Sequence, residues 1–276
     1  MAWTGRLQLD YRLDGQRTIA HDRHEGPLRV LQRLYPEGDS ICHHVLVHPP
    51  GGIAGGDVLD IDATLAPGSH AVVTTPGATR FYRSAGASAV QRARLRLQAD
   101  ARLEWLPLET LAYDGCIAEN HLRLELEPGA QAMGWDVLAL GLPAANAPFA
   151  RGSYLQHLEW PGHWLERARI AADDALLLDS PLGWAGRRVL GTLWFAGLPP
   201  RDTALREALL DGARAVIDAT PPDTPAGATA PHPGLVLVRV LASRVEPAMR
   251  LLLAVRAAWR QAGWALQSHP PRVWST

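Results

Sequence analysis

His48-Pro-Pro-Gly-Gly-Ile-Ala-Gly-Gly-Asp57 runs directly into Val58-Leu-Asp-Ile-Asp-Ala-Thr-Leu65. Gly51, Gly52, Gly55 and Gly56, with the two prolines before them, specify a tight loop, because Gly reaches positive φ and Pro holds φ near about −65°. Behind the loop, Leu59, Ile61, Ala63 and Leu65 fall on one side of the chain and Asp60, Asp62 and Thr64 on the other. That period of two is the mark of a half-buried strand. The stretch reads as a shaped loop that delivers two carboxylates to one face.

Working outward, the same plan recurs. Residues 58–75 form strand, turn and strand about Pro67-Gly68; residues 90–108 repeat it at Ala99-Asp100, 121–140 at Pro128-Gly129 and 153–170 at Pro161-Gly162. Turns about 30 residues apart belong to stacked supersecondary units, none of which buries its apolar face alone. Upstream, Leu7, Leu9, Tyr11 and Leu13 alternate and stop at the hairpin signal Asp14-Gly15. Arg29–Tyr35 and Ile41–His48 are two further strand-like runs.

After residue 180 the pattern changes. Thr203–Val216 carries apolar residues at 205, 209, 213 and 216, a short amphipathic helix. Asp218–Gly234 is rich in Pro, Thr and Ala and reads as an exposed loop, and Leu235–Leu241 as a strand. Pro247 then opens a helix that runs to Leu266, with Leu251, Leu252, Val255, Ala258 and Trp259 on one broad face. The expected fold is mainly β, a layered or helix-like stack of antiparallel strands with two α-helices in the C-terminal part. An ordinary β-sandwich is the alternative. A single domain over 1–276 is expected, with a β-rich body to about residue 200 and the helical elements attached to it.

Composition narrows the chemistry. Of 276 residues 47% are hydrophobic and 20% charged, so the chain is globular. The formal net charge of −1 leaves no electrostatic footprint for nucleic acid or an anionic membrane. All 27 basic residues are Arg, which excludes a catalytic Lys, a Schiff base and a phosphate-loop Lys. Two separated cysteines, Cys42 and Cys116, fit a reducing compartment, and no signal segment or long apolar run is evident. A soluble cytoplasmic protein is expected.

The glycine loop fails as a nucleotide site, since a strand and not a helix follows it. No GxSxG elbow is present. Cys42, His43, His44 and His48 offer metal-type ligands, but they also suit packing positions in a strand. Asp57, Asp60, Asp62, Glu104, Glu109, Asp114 and Asp136 lie in or beside apolar strands. They read as solvated faces and turn caps, as a carboxylate pair for sugar hydrolysis, or as acids along a wet interior route for a cation.

Taken in series, the motifs resemble one family. They are His24-Glu-Gly-Pro-Leu28, Leu34-Tyr-Pro-Glu-Gly38, Cys42-His43, the glycine loop to Asp57, Leu65-Ala-Pro-Gly-Ser-His70, Thr74-Thr-Pro-Gly-Ala-Thr-Arg-Phe-Tyr-Arg-Ser84, Leu103-Glu-Trp-Leu-Pro107, Glu109-Thr110, Asp114-Gly115, Gly134-Trp-Asp136 and Leu140-Gly141. In this order they resemble the urease accessory protein UreD (UreH) family, from about residue 3 to Pro271-Arg-Val-Trp274. Arg80, Leu108 and Asp136 stand where that family commonly has Lys, Gln and Glu. The resemblance implies a non-enzymatic partner of UreF and the GTPase UreG that docks on apo-urease for GTP-dependent nickel loading. It also implies a layered β fold and a water-filled internal path for Ni²⁺, with no tightly bound cofactor and a possible dimer within the accessory complex.

On that reading Asp60, Asp62, Glu109 and Asp136 are the expected residues of a transient nickel path, and the four glycines shape the loop. Leu252 and Trp259 are expected at a partner surface on the C-terminal helix, with core packing as the alternative. A β-solenoid carbohydrate hydrolase using the same acids is the competing function.

Overall fold

The computed structural model describes residues 2–275. The chain opens with an antiparallel hairpin, β1 (Thr4–Asp14) and β2 (Arg17–Glu25), turning at Gly15 with φ of 61°. The strands that follow wind back and forth between two sheets. β4 (Ile41–Val47), β6 (His70–Thr74), β9 (Arg102–Leu106) and β12 (Gln131–Leu140) lie in one; β5 (Val58–Leu65), β8 (Ala89–Leu97), β11 (Ile117–Leu126) and β13 (Ser153–Trp160) lie in the other. β3 (Arg29–Val30), β7 (Thr79–Phe81) and β10 (Thr110–Ala112) are short additions beside the first set. Among the described residues these strands belong to a seven-stranded and a ten-stranded sheet.

The layered stack is as expected, but the strand direction within it needs correction. Three of the four strand–turn–strand segments are corners between sheets and not antiparallel hairpins. Neighbours within a sheet come from successive coils and run parallel: Asp60 pairs with Arg92 and Arg92 with His121, while His70 pairs with Arg102 and Arg102 with Gln131. Only the segment turning at Gly162 is a true hairpin, β13 with β14 (Trp164–Ala171). Antiparallel pairing otherwise closes the ends of the stack. The physical reason lies in burial. β5 alternates buried and half-buried residues, whereas β6 is buried throughout, because its sheet is covered on both faces.

The corners share one construction. Gly68, Asp100 and Gly129 stand at φ of 70°, 59° and 81°. The amides of Ser69, Ala101 and Ala130 each donate to the carbonyl three residues back, at 3.1, 3.1 and 3.0 Å. Leu65, Leu97 and Leu126 precede the three turns in register with one another.

β15 (Val189–Ala196), β17 (Leu235–Ala242) and β16 (Ala226–His232) extend the ten-stranded sheet antiparallel beyond β12. β16 occupies much of the stretch expected as loop. It is an edge strand, and Pro231 is tolerated there because an edge leaves amides unpaired. A short helix, α1 (Ala175–Asp179), is capped by Asp174, which accepts from the Leu177 amide at 2.9 Å. The two expected helices are α2 (Thr203–Asp218), capped by Asp202, and α3 (Val245–Trp264). Pro247 sits in the first turn of α3, where its missing N–H costs no intrahelical bond.

Two cores result. Between the sheets pack Leu7, Leu9, Leu59, Leu95, Leu103 and Trp194; between the ten-stranded sheet and the helices pack Val72, Trp135, Phe195, Leu209, Val255 and Trp259. Leu252 and Trp259, expected at a partner surface, are both fully buried in the second core. The Trp259 indole donates to the Leu209 carbonyl at 2.8 Å, tying α3 to α2. Leu252 lies so close to β15 that a Cβ on Gly191 would stand 3.0 Å from it. These side chains hold α3 in place, so a partner meeting this helix meets a different stripe of it.

Candidate functional site

The glycine loop roofs a cavity of about 260 Å³ whose walls include Gly52, Ile53, Leu59, Gln91, Trp105 and His48. Gly51 and Gly56 adopt φ of 79° and 94°. Gly52 is required for a different reason: a Cβ there would lie 2.2 Å from the Tyr82 ring. Asp57 closes the loop, accepting from the Trp3 amide at 2.7 Å and the Ala54 amide at 3.0 Å.

From this cavity a chain of polar side chains runs into the inter-sheet core. The Gln91 amide donates to Asn120 at 3.2 Å, and Asn120 donates to Asp136 at 2.7 Å. Gln156 donates to the other carboxylate oxygen of Asp136 at 2.6 Å. Strand alternation puts Asn120, Asp136 and Gln156 on the inward faces of β11, β12 and β13. Burial pushes the Asp136 carboxyl up to about 6, against the pull of the two amides. Beside this group the Thr192 hydroxyl and the Trp194 indole are buried without a hydrogen-bond partner. Such an island titrates above the ordinary carboxylate range, offers oxygen to a cation once ionised, and leaves polar atoms facing inward.

The structure does not bring the four expected acids together. Asp60 and Asp62 lie on the outer face of the seven-stranded sheet, where Asp60 contacts Arg92 at 3.2 Å and Asp62 contacts Arg96 at 3.2 Å and Arg94 at 3.7 Å. Glu109 lies half-buried in the loop between β9 and β10. Asp136 alone of the four is in the interior. Cys42 and His44 face the inter-sheet core, and His44 Nδ1 is 2.9 Å from the Tyr11 hydroxyl. Among the described residues no three His, Cys, Asp or Glu side chains stand close enough to hold a metal ion.

A second buried network escaped the sequence reading. Arg256 and Arg260, one turn apart on α3, reach Glu104 on β9 at 2.6 and 3.2 Å. Arg260 also pairs with Glu37, whose carboxylate contacts His43 at 2.8 Å. Burial would raise Glu37, yet its hydrogen bonds with His43 and Arg260 bring it down to about 2. The signal was present: two arginines stand among apolar positions on the core-facing side of α3, where only a paired charge is tolerated.

The class these observations define is a layered β stack with a helical cover and a buried carboxyl–amide chain between its sheets. Comparison with known proteins makes this specific. The family model described as UreD urease accessory protein matches residues 4–275. Curated relatives named urease accessory protein UreD are 66% identical in Leptothrix cholodnii, 59% in Variovorax paradoxus and 59% in Paracidovorax citrulli, each over the whole of both chains. The chain belongs to the UreD urease accessory protein family.

Proposed function

We propose that this chain is a non-enzymatic maturation factor of the cytoplasm. It acts with a UreF-type partner and a UreG-type GTPase, dimerises within their complex and enables GTP-dependent insertion of nickel into apo-urease. Family membership along the whole chain carries the maturation role; the relatives' names describe an accessory protein and favour this reading over a carbohydrate hydrolase.

Within that role Ni²⁺ is transient cargo and not a resident cofactor. The buried chain from Gln91 through Asn120 to Asp136 supports an interior route entered beneath the glycine loop. One carboxylate among amide dipoles is a weak oxygen site, suited to passing a hard or borderline divalent ion onward. Asp136 is the principal path residue. Asp60, Asp62 and Glu109 would act at most at the outside of the route, since the first two are engaged by arginines. Co-expression with urease, with and without this chain, tests the role by enzyme activity and nickel content.

A further inference from the structure

A groove of about 490 Å³ opens between the N-terminal half of α3 and the loops around 108–111 and 142–145. Its apolar walls include Leu108, Leu111, Leu142, Met249, Leu253 and Trp274. Val245, Met249 and Leu253 recur every four residues and so form one stripe of the helix. Leu252, Val255 and Trp259 occupy the core-facing stripe; Val245, Met249 and Leu253 border the same core and present their outer sides to the groove. On the rim, the side chains of Glu109, Glu246 and Arg244 make no ion pair or hydrogen bond among the described residues. Glu246 also complements the positive end of the α3 dipole, but Glu109 has no such role. Elsewhere on the surface, Leu176 of α1 and Leu182 in the loop after it are 79% and 99% exposed.

We infer that this groove docks an amphipathic segment of a partner protein, with apolar side chains seated along Val245, Met249 and Leu253 and a basic residue facing Glu109 and Glu246. Two free carboxylates against one guanidinium make the rim net acidic, and a basic flank on the partner is the complement. Depletion of charge at the floor and polar groups at the edge is the anatomy of a protein interface. The inference rests on the maturation reading above, which supplies the partners to be tried.

The test uses the full chain with tagged UreF-type protein, UreG-type protein and apo-urease, each in a separate capture experiment. Two independent variants probe the groove: Glu109→Arg with Glu246→Arg, which alters only the rim, and Leu253→Glu, which alters the floor. The docking account expects capture of one partner to fall about tenfold or more in both, a change of about 1.4 kcal/mol, with thermal unfolding of the rim variant lowered only slightly, through the reversed charge at the start of α3. Wild-type capture of all three by both variants overturns it. So does a wild-type dimer that both variants dissolve while capture is unchanged, since the groove would then join two copies of this chain. If the wild-type chain captures none of the three but still raises urease activity, the docking claim alone fails. If it captures none and leaves urease activity unchanged, the maturation reading fails with it.

Discussion

The Arg256 guanidinium lies 2.6 Å from the carboxylate of Glu104, which is 152 residues earlier in the chain, and neither side chain is more than 1% exposed. Through Arg260 the same cluster reaches Glu37, so three remote parts of the sequence meet under α3. Removing one partner of such a cluster strands the others in a dry interior. Glu104→Leu is expected to cost about 3–5 kcal/mol in urea unfolding. Adding Arg256→Met should recover part of that loss, because an apolar pair of similar volume is tolerated where a lone charge is not. By contrast, Asp60→Ala removes an exposed pair and should cost less than about 1 kcal/mol. Equal losses for Glu104→Leu and Asp60→Ala would contradict the assignment.

His70 and His44 make the fold acid-sensitive. Burial lowers His70 to about 3 and His44 to about 4, so both stay neutral in the folded state well below the ordinary histidine value of 6.5. Their pKa values are depressed, so their stabilising contribution is intact above about pH 6.5 and fades as pH falls toward 4. Each pKa unit corresponds to about 1.4 kcal/mol. Unfolding midpoints should fall across that window, and His70→Gln should flatten the fall. An unchanged slope in that variant would remove His70 from the account.

Asp136 works in the opposite direction. Its folded-state pKa, about 6 against 3.8, is raised, so its contribution is present below about pH 4 and is lost as pH rises through 6. Asp136→Asn is therefore expected to stabilise the protein at pH 8 by roughly 1–3 kcal/mol and to change little at pH 4. Because Asp136 opposes the histidines over an overlapping window, the variant should also lose stability more steeply on acidification. Thermal unfolding at pH 4, 6 and 8 checks all three expectations.

Gly52 separates shape from chemistry in the loop. A Cβ at this position would lie 2.2 Å from the Tyr82 ring, whereas one at Gly77 meets nothing within 4 Å. Gly52→Ala should lower the melting temperature by several degrees, corresponding to about 1–3 kcal/mol of overpacking; Gly77→Ala should leave it nearly unchanged. Restoration by the double change Gly52→Ala, Tyr82→Ala would show that the ring is the cause.

Much of this architecture was legible from alternation alone. The period of two in Val58–Leu65 marks β5 correctly, with Asp60 and Asp62 on its solvent side. The turns at Gly68, Asp100 and Gly129 mark the coils. What alternation cannot give is which sheet the second arm of each turn joins, because a corner and a hairpin use the same Gly and Pro signals. The continuous apolar runs Ala71-Val-Val73 and Val137-Leu-Ala-Leu140 held that information, since a strand covered on both faces loses its alternation. The C-terminal helix was placed to within a few residues, yet two of its three arginines, Arg256 and Arg260, pair with Glu104 and Glu37, carboxylates too far away in the chain for its own pattern to reveal. Likewise, Asp136 is separable from Asp60 and Asp62 only by the inward phase of its strand, set by neighbours far along the chain.

The most direct test of the account is nickel occupancy of urease matured in a heterologous host with the wild-type chain, with Asp136→Asn, or with no chain. The account predicts nickel-loaded, active urease with the wild type and little of either without the chain. Asp136→Asn should reduce both although the folded variant is at least as stable at neutral pH. Equal nickel content and activity in all three would contradict it.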